Sequence, residues 1–401
     1  MNTNSMKIIQ VINNIHMELM TSELSNNIGL HGGTSGVALF IAYYDRIIHK
    51  KNDVNQRVVD IMKHNIECID SGNLVHTICN GISGFGWLCE HLKQIGMLKR
   101  ENIEFLNDID PFLHRMMMTD LKQGNYDFLH GALGVGTYFL SRIDKKGVSK
   151  YLEELLTWFE KTGISCDNGA TKWMSVLKKE TGEEEGYNIS LSHGISSIAA
   201  FLIQLHKLNI EAERVRVLLN RTITYILDQI IYKEGNISFF PTYSKENNIE
   251  DYYSRLGWCY GDLGISHTLW QAAIVLKNKE WENTAIKILR YNSNRRDLNI
   301  NGINDAGLCH GSSGIAHIFW NLFINTELQE FNKTTDYWIH ITMQMAKYYD
   351  GLAGFKAWRR EKVGGPEKSD TLLEGISGIG LFLLTYLKSD EITWDKCIML
   401  S

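Results

Sequence analysis

Proline is nearly missing from this chain, with three residues in 401 where about 5% is usual. Because proline removes a backbone donor and breaks helices, its scarcity suits long helices with few interruptions. No apolar run reaches the roughly 18 residues of a membrane span. Residues Met1 to Met20 lack the cleavable pattern of a secretory signal, so the sequence predicts a soluble, cytoplasmic protein. Positive charge is not in excess either: 41 Lys and Arg stand against 46 Asp and Glu, a net charge of −5. That balance offers no footprint for nucleic acid, and no basic helix stands out as a membrane binder. Low-complexity linkers are lacking too. The seven cysteines are odd in number and without small-scaffold spacing, which fits reduced thiols or metal ligands rather than a disulfide framework.

Glycine, by contrast, is plentiful and ordered. A short signature starts at Gly33, Gly81, Gly131, Gly194, Gly261, Gly311 and Gly375. A second glycine follows three residues on in every copy but the fourth, where Ser197 stands. Successive starts lie 48, 50, 63, 67, 50 and 64 residues apart, a period that suits a helix pair plus loops. After the signatures come nearly continuous apolar runs, such as Val37 to Tyr44, Ile198 to Ile203, Ile315 to Trp320 and Ile379 to Leu384. A helix apolar all round is buried on every side. Between these runs lie segments with a single apolar stripe, such as Val54, Val58, Met62, Ile66 and Ile69, or Val215, Leu219, Ile223, Ile226 and Ile230, the pattern of helices facing a core. The expected fold is therefore all-α: an α/α toroid of seven inner and seven outer helices. A ring of repeats cannot be cut without opening it, so residues 1–401 are expected to form one domain of seven repeats. Three segments fall outside the pattern. Residues 160 to 190, with the acidic run Glu183 to Glu185, read as a solvated loop; Gly235 to Tyr243 as a short strand or a lid; and Arg359 to Ser369 as an exposed loop.

The residue just before each first glycine points to a comparable place in every repeat. From the second repeat onward that place holds Asn80, His130, His193, Tyr260, His310 and Glu374. Polar residues recurring in front of apolar helices imply a polar mouth where the inner helices begin. One step further back stand Cys79, Ser192, Cys259 and Cys309. Cys259 and the pair Cys309-His310 belong to adjacent repeats, so they can meet around one ion. Two thiolates and an imidazole suit tetrahedral zinc, and three protein ligands leave the fourth position open, as catalytic zinc requires. Cys79 lies three repeats from Cys259 and is not counted as a ligand. Taken singly, each cysteine would read as a buried free thiol.

The segments Gly257-Trp258-Cys259-Tyr260-Gly261-Asp262-Leu263-Gly264 and Leu308-Cys309-His310-Gly311-Ser312-Ser313-Gly314 resemble the zinc motifs of the LanC family of lanthionine (lantibiotic) cyclases. The resemblance extends over all seven repeats. It implies a zinc-dependent enzyme that adds cysteine thiols of a dehydrated precursor peptide to dehydroalanine or dehydrobutyrine, forming thioether rings. It implies a separate dehydratase, and an exporter, as partners. Ser192-His193-Gly194 resembles the motif holding the family's acid or base histidine. Asp127, in Tyr126-Asp127-Phe128-Leu129-His130-Gly131, resembles its aspartate, and Arg255 and Tyr260 resemble further active-site positions. By itself each such residue would more often be a helix cap or a satisfied hydrogen-bonding group. The implied chemistry gives them tasks. A free thiol has a pKa of about 8.5 and needs the metal to become a thiolate near neutrality. The enolate formed on attack needs stabilisation, which suits Arg255, and a proton, which suits His193 with Asp127 holding its charge. His130 and Glu374 share the rim position without a family role. Three other readings differ in class: a LanC-like protein adding glutathione to dehydrated residues, a zinc prenyltransferase with fewer hairpins, and a non-catalytic scaffold lacking a complete ligand set.

Overall fold

The structure is a computed structural model that describes all residues except 1–2, 73, 180–181, 234, 248–252 and 390–391; the side chains of 3–4, 176–179 and 182–183 also lie outside the described set. Among the described residues there are fourteen α-helices. Each of the seven signature glycines is the N-cap residue of a helix: Gly33 of α2 (Thr34–Ile47), Gly81 of α4 (Ile82–Gln94), Gly131 of α6 (Ala132–Ser141), Gly194 of α8 (Ile195–Lys207), Gly261 of α10 (Asp262–Leu276), Gly311 of α12 (Ser312–Thr326) and Gly375 of α14 (Ile376–Leu387). These helices are buried on nearly every face, as their unbroken apolar runs require. The amphipathic segments form α1 (Thr3–Thr21), α3 (Gln56–Asp70), α5 (Leu106–Lys122), α7 (Val148–Thr162), α9 (Ala212–Asp228), α11 (Lys279–Asn292) and α13 (Gln329–Met345). No described helix is long and apolar enough to cross a membrane.

Contacts divide the chain into two compact units, residues 1–113 with 303–397 and 401, and residues 114–302 with 398–400. In the first unit the buried helices pack in the order α12, α14, α2, α4, covered by α13, α1 and α3. In the second the order is α6, α8, α10, and each is covered by the helix that follows it in sequence, α7, α9 and α11. The stripe expected on α3 is displaced. Val54 precedes the helix, Ile66 and Ile69 are half-buried, and the buried face is Val58, Ile61, Met62, Asn65 and Cys68. A strict spacing of four drifts around a helix of 3.6 residues per turn, so the true face alternates steps of three and four. On α9 the expected stripe, Val215, Leu219, Ile223 and Ile226, is buried as read, and so is Ile230 just beyond the helix.

The long gaps between signatures hold the irregular parts. Residues 160 to 190 are not a plain loop: β1 (Ile164–Ser165) pairs antiparallel with β2 (Thr171–Lys172), and β3 (Ser175–Lys179) with β4 (Gly182–Gly186). The buried Trp173 anchors them, its indole donating to the Phe159 carbonyl at 3.1 Å. Glu184 and Glu185 are exposed as read. The stretch Gly235 to Tyr243 forms no strand among the described residues. It is held as a loop because the Phe239 and Phe240 amides donate to the buried Asp262 carboxylate, at 3.0 and 2.8 Å. Arg359 to Ser369 is a mostly exposed loop with one short helical turn, Glu361–Val363.

What makes every copy need glycine is close backbone approach. A Cβ on Gly84 would lie 2.2 Å from the Ile78 carbonyl oxygen and 2.4 Å from the Leu30 nitrogen, and one on Gly314 would lie 1.9 Å from the Leu308 oxygen. Gly84→Ala is therefore expected to destabilise the protein by about 2–3 kcal/mol or more. Gly96→Ala, which meets nothing within 4 Å and carries only a positive φ, should lose about 1 kcal/mol. Urea unfolding of both variants measures the difference; equal losses would refute the packing argument.

Candidate functional site

Each signature loop folds back onto the helix it introduces. In five repeats the second residue after the first glycine is a serine whose hydroxyl donates to the carbonyl seven residues upstream: Ser35 to Ile28, Ser83 to His76, Ser196 to Ile189, Ser313 to Ala306 and Ser377 to Asp370. The loops are also stitched sideways through their main chains. In the first unit Cys309 N donates to Leu373 O (2.8 Å), Leu373 N to His31 O (3.1 Å) and Gly32 N to Cys79 O (2.9 Å). In the second, the Leu191 and Ser192 amides both donate to the Cys259 carbonyl, at 3.1 and 3.3 Å. The residues bracketing the signature glycines in these stitched loops therefore stand on a main-chain frame rather than on a free loop.

The second unit holds a concavity of about 580 Å³ whose lining includes Tyr126, Asp127, His130, Asn188, His193 and Tyr260. Three of the four residues read as catalytic thus meet there. His193 Nδ1 lies 2.6 Å from Asp127 Oδ2. The other carboxylate oxygen, Oδ1, accepts the His130 amide at 2.8 Å, so Asp127 is aimed by the main chain of its own loop. Burial by itself would raise the Asp127 pKa, but the His193 imidazole and the His130 amide outweigh it and hold the carboxyl below its ordinary range. Both side chains stay reachable, Asp127 at 22% and His193 at 27% exposure. Tyr260 stands beside them, its ring 5.8 Å from that of His193 and its hydroxyl 3.5 Å from Asn188 Nδ2. Burial pushes the Tyr260 pKa up, and the neighbouring Tyr243 adds to the shift. The phenol therefore remains a neutral donor. His130 lines the same concavity, its ring 6.2 Å from that of His193.

Arg255 is placed differently. It packs over Gly302, where a Cβ would lie 3.5 Å from its own Cβ, and it is not among the residues lining the concavity. Cys259 sits directly before Tyr260, buried, with its carbonyl taking the two amides named above. In the first unit, Cys309 and His310 occupy the loop before α12, both half-buried. Near them, Asp305 Oδ2 lies 3.9 Å from His310 Nε2 and accepts the Trp358 amide at 2.8 Å. Glu374, at the rim position of the last repeat, pairs with Arg359 at 2.6 Å, and Arg359 also meets Glu367 at 2.9 Å. Sequence reading missed Asp305, Arg359 and Asn188. Asn188 and Asp305 had a signal, since both stand six residues before a signature glycine. Arg359 lies outside the repeats and had none.

Residues 25–399 match the family model of the lanthionine synthetase C-like proteins. The chain is similar to the nisin biosynthesis protein NisC of Lactococcus lactis subsp. lactis, at 24% identity over 92% of this chain and 88% of that protein. Among solved structures it is similar to a nisin cyclase, with a TM-score of 0.75 and 18% identity over 98% of this chain and 96% of the other. The fold is thus the all-α, α/α toroid class that the glycine period implies.

The Asp127 carboxyl bears on stability through pH. Its lowered native pKa means that its contribution is full above the ordinary value near 3.9 and is lost as pH falls through the native value. Asp127→Asn should therefore be less stable than the parent by about 1–3 kcal/mol at neutral pH, and the gap should close toward pH 2. Urea unfolding across that range checks it, and a gap independent of pH would contradict it.

Proposed function

The chain belongs to the lanthionine synthetase C-like family, and on that premise we propose that it is a zinc-dependent cyclase of dehydrated peptides. It adds a peptide cysteine thiol to dehydroalanine or dehydrobutyrine to close a thioether ring. The observation that carries this reading is the His193–Asp127 pair in an open concavity beside Tyr260, itself adjacent in sequence to the Cys259 thiol. Cys259, Cys309 and His310 are the donors that the family resemblance implies for the metal. Two thiols and one imidazole fit a zinc site that keeps one position for substrate. When bound, zinc supplies a positive centre that makes the substrate thiol a thiolate at neutral pH.

The remaining work falls to the chain's own side chains. A carbon–sulfur bond forms at the β-carbon as the π bond to the α-carbon breaks, and negative charge moves onto the neighbouring carbonyl oxygen. Tyr260, kept neutral by burial, is a hydrogen-bond donor for that oxygen. Arg255 is assigned the same stabilising task, supported by the family resemblance. His193 delivers the proton to the α-carbon. Its Nδ1 is engaged by Asp127, so Nε2 is the nitrogen turned to substrate, and the carboxylate favours the imidazolium that gives up the proton. The sum is an addition: the thiol hydrogen is replaced by carbon, the α-carbon gains a hydrogen, and nothing leaves. A dehydratase that prepares the peptide, an exporter that removes it, and a cytoplasmic setting belong to this proposal, as does the reading of residues 1–401 as one domain.

Metal analysis is expected to give one zinc per chain, lost in Cys259→Ala and in Cys309→Ala. His193→Ala should keep its zinc yet leave peptide cysteines open to alkylation, seen by mass spectrometry. Full zinc in both cysteine variants, or normal rings from His193→Ala, would overturn the corresponding assignment. The His193–Asp127 pair stays partly exposed, which lets a flexible peptide present its cysteines there in turn. A dehydrated precursor offered together with excess glutathione should therefore yield mostly intramolecular rings. A majority of glutathione adducts would overturn the peptide reading.

A further inference from the structure

Six residues before the first glycine of each signature stand Asn27, Val75, Asn125, Asn188, Arg255, Asp305 and Ser369. In the first and fourth repeats the asparagine closes a turn of the loop, its side-chain oxygen accepting the Gly29 amide at 3.1 Å and the Ser190 amide at 2.9 Å. Asp305 does the same, with Oδ1 3.0 Å from the Gly307 amide. The turn asks only for one side-chain acceptor, which a neutral amide supplies as well as a carboxylate. The difference lies in the second terminal atom. In Asp305 that atom, Oδ2, accepts the Trp358 amide at 2.8 Å and lies 3.9 Å from His310 Nε2. The carboxylate is buried, and both of its oxygens are held by main-chain amides. Its orientation is therefore set by the backbone and does not depend on His310. Among the seven repeats, the one with aspartate at this place is the one whose rim residue is the histidine donor.

We propose that Asp305 is a positioning residue for His310: its carboxylate faces Nε2, keeps the proton on that nitrogen, and leaves Nδ1 as the atom turned to the metal. The assignment rests on the zinc reading above. A carboxylate behind a ligand imidazole fixes its tautomer and ring plane and raises its basicity. At 3.9 Å the two groups are too far apart for a hydrogen bond, and a small rotation of the ring closes the gap while the carboxylate stays fixed. An amide NH₂ in place of Oδ2 would set donor against donor, toward both the Trp358 amide and the protonated Nε2. Asparagine therefore suits the turn in the first and fourth repeats and does not suit this one.

The test compares the full-length protein with Asp305→Asn, which keeps the Gly307 contact. Zinc affinity is read by competition with a chromophoric chelator, with thermal unfolding followed alongside. The variant is expected to fold and to bind zinc about tenfold or more weakly; equal affinity overturns the proposal. Because the variant also disturbs the Trp358 contact, the tautomer is read in the unsubstituted protein, labelled with ¹⁵N-histidine and loaded with zinc. A protonated Nε2 and a metal-bound Nδ1 in His310 are expected, and the reverse assignment overturns the proposal whatever the variant does. If the unsubstituted protein competes no better than buffer, the metal reading falls and this assignment with it. That outcome differs from unchanged affinity in the variant, which removes Asp305 alone.

Discussion

Everything else in the chain depends on a close approach: at the start of each buried helix the main chain passes so near the helix that no side chain fits between them. At Gly84, Gly264, Gly314 and Gly378 the intruding atom is the carbonyl oxygen six residues upstream, 1.9 to 2.2 Å from where a Cβ would sit. That approach lets a hydroxyl such as that of Ser196 or Ser313 reach back seven residues and close the loop. It also presses neighbouring loops together until their amides and carbonyls pair. The rim is stiff because the glycines are small, and a stiff rim can hold chemical groups to within a few tenths of an ångström. The fourth repeat, with Ser197 in place of the second glycine, shows the limit of the rule. There the side chain turns back and donates to the Gly194 carbonyl at 2.6 Å.

The rim gives its residues unequal surroundings although their places in the repeat are equivalent. His193 has a carboxylate at hydrogen-bonding distance, His310 has one further off that the backbone holds in place, and Glu374 is bound by Arg359. Equivalent position therefore decides where a side chain points, while its neighbours decide what it can do. That division lets seven similar loops give their rim residues different chemical surroundings.

Periodicity made the architecture legible. Glycines at a loose period, each followed by an all-apolar run, left few folds open, and the caps fell on the seven residues singled out. The rim histidines, Tyr260 and the cysteine pair were legible because they share one register with those glycines. What escaped was non-local or out of register. The hairpins around Trp173 fill the extra length between Gly131 and Gly194, where no apolar pattern announces them. The role of Asp262 in holding the Phe239 and Phe240 amides is visible only once the loop is folded. Arg255, four residues before Cys259, packs over Gly302, a contact that spacing along the loop does not announce.

The pairing of Leu373 with His31 has a consequence for the ribosome. One compact unit is built mainly from the continuous stretch 114–302, whereas the other is assembled from residues 1–113 and 303–397. During synthesis the continuous stretch can meet its own partners as it emerges. The opening repeats can do so only in part, for α2 also packs on α14 and the His31 carbonyl waits for an amide made more than three hundred residues later. The face of α2 that meets α14 stays uncovered for most of translation. At about 5–20 residues per second that is tens of seconds of exposed surface, so the nascent chain, more than the finished enzyme, is where this architecture calls for a chaperone.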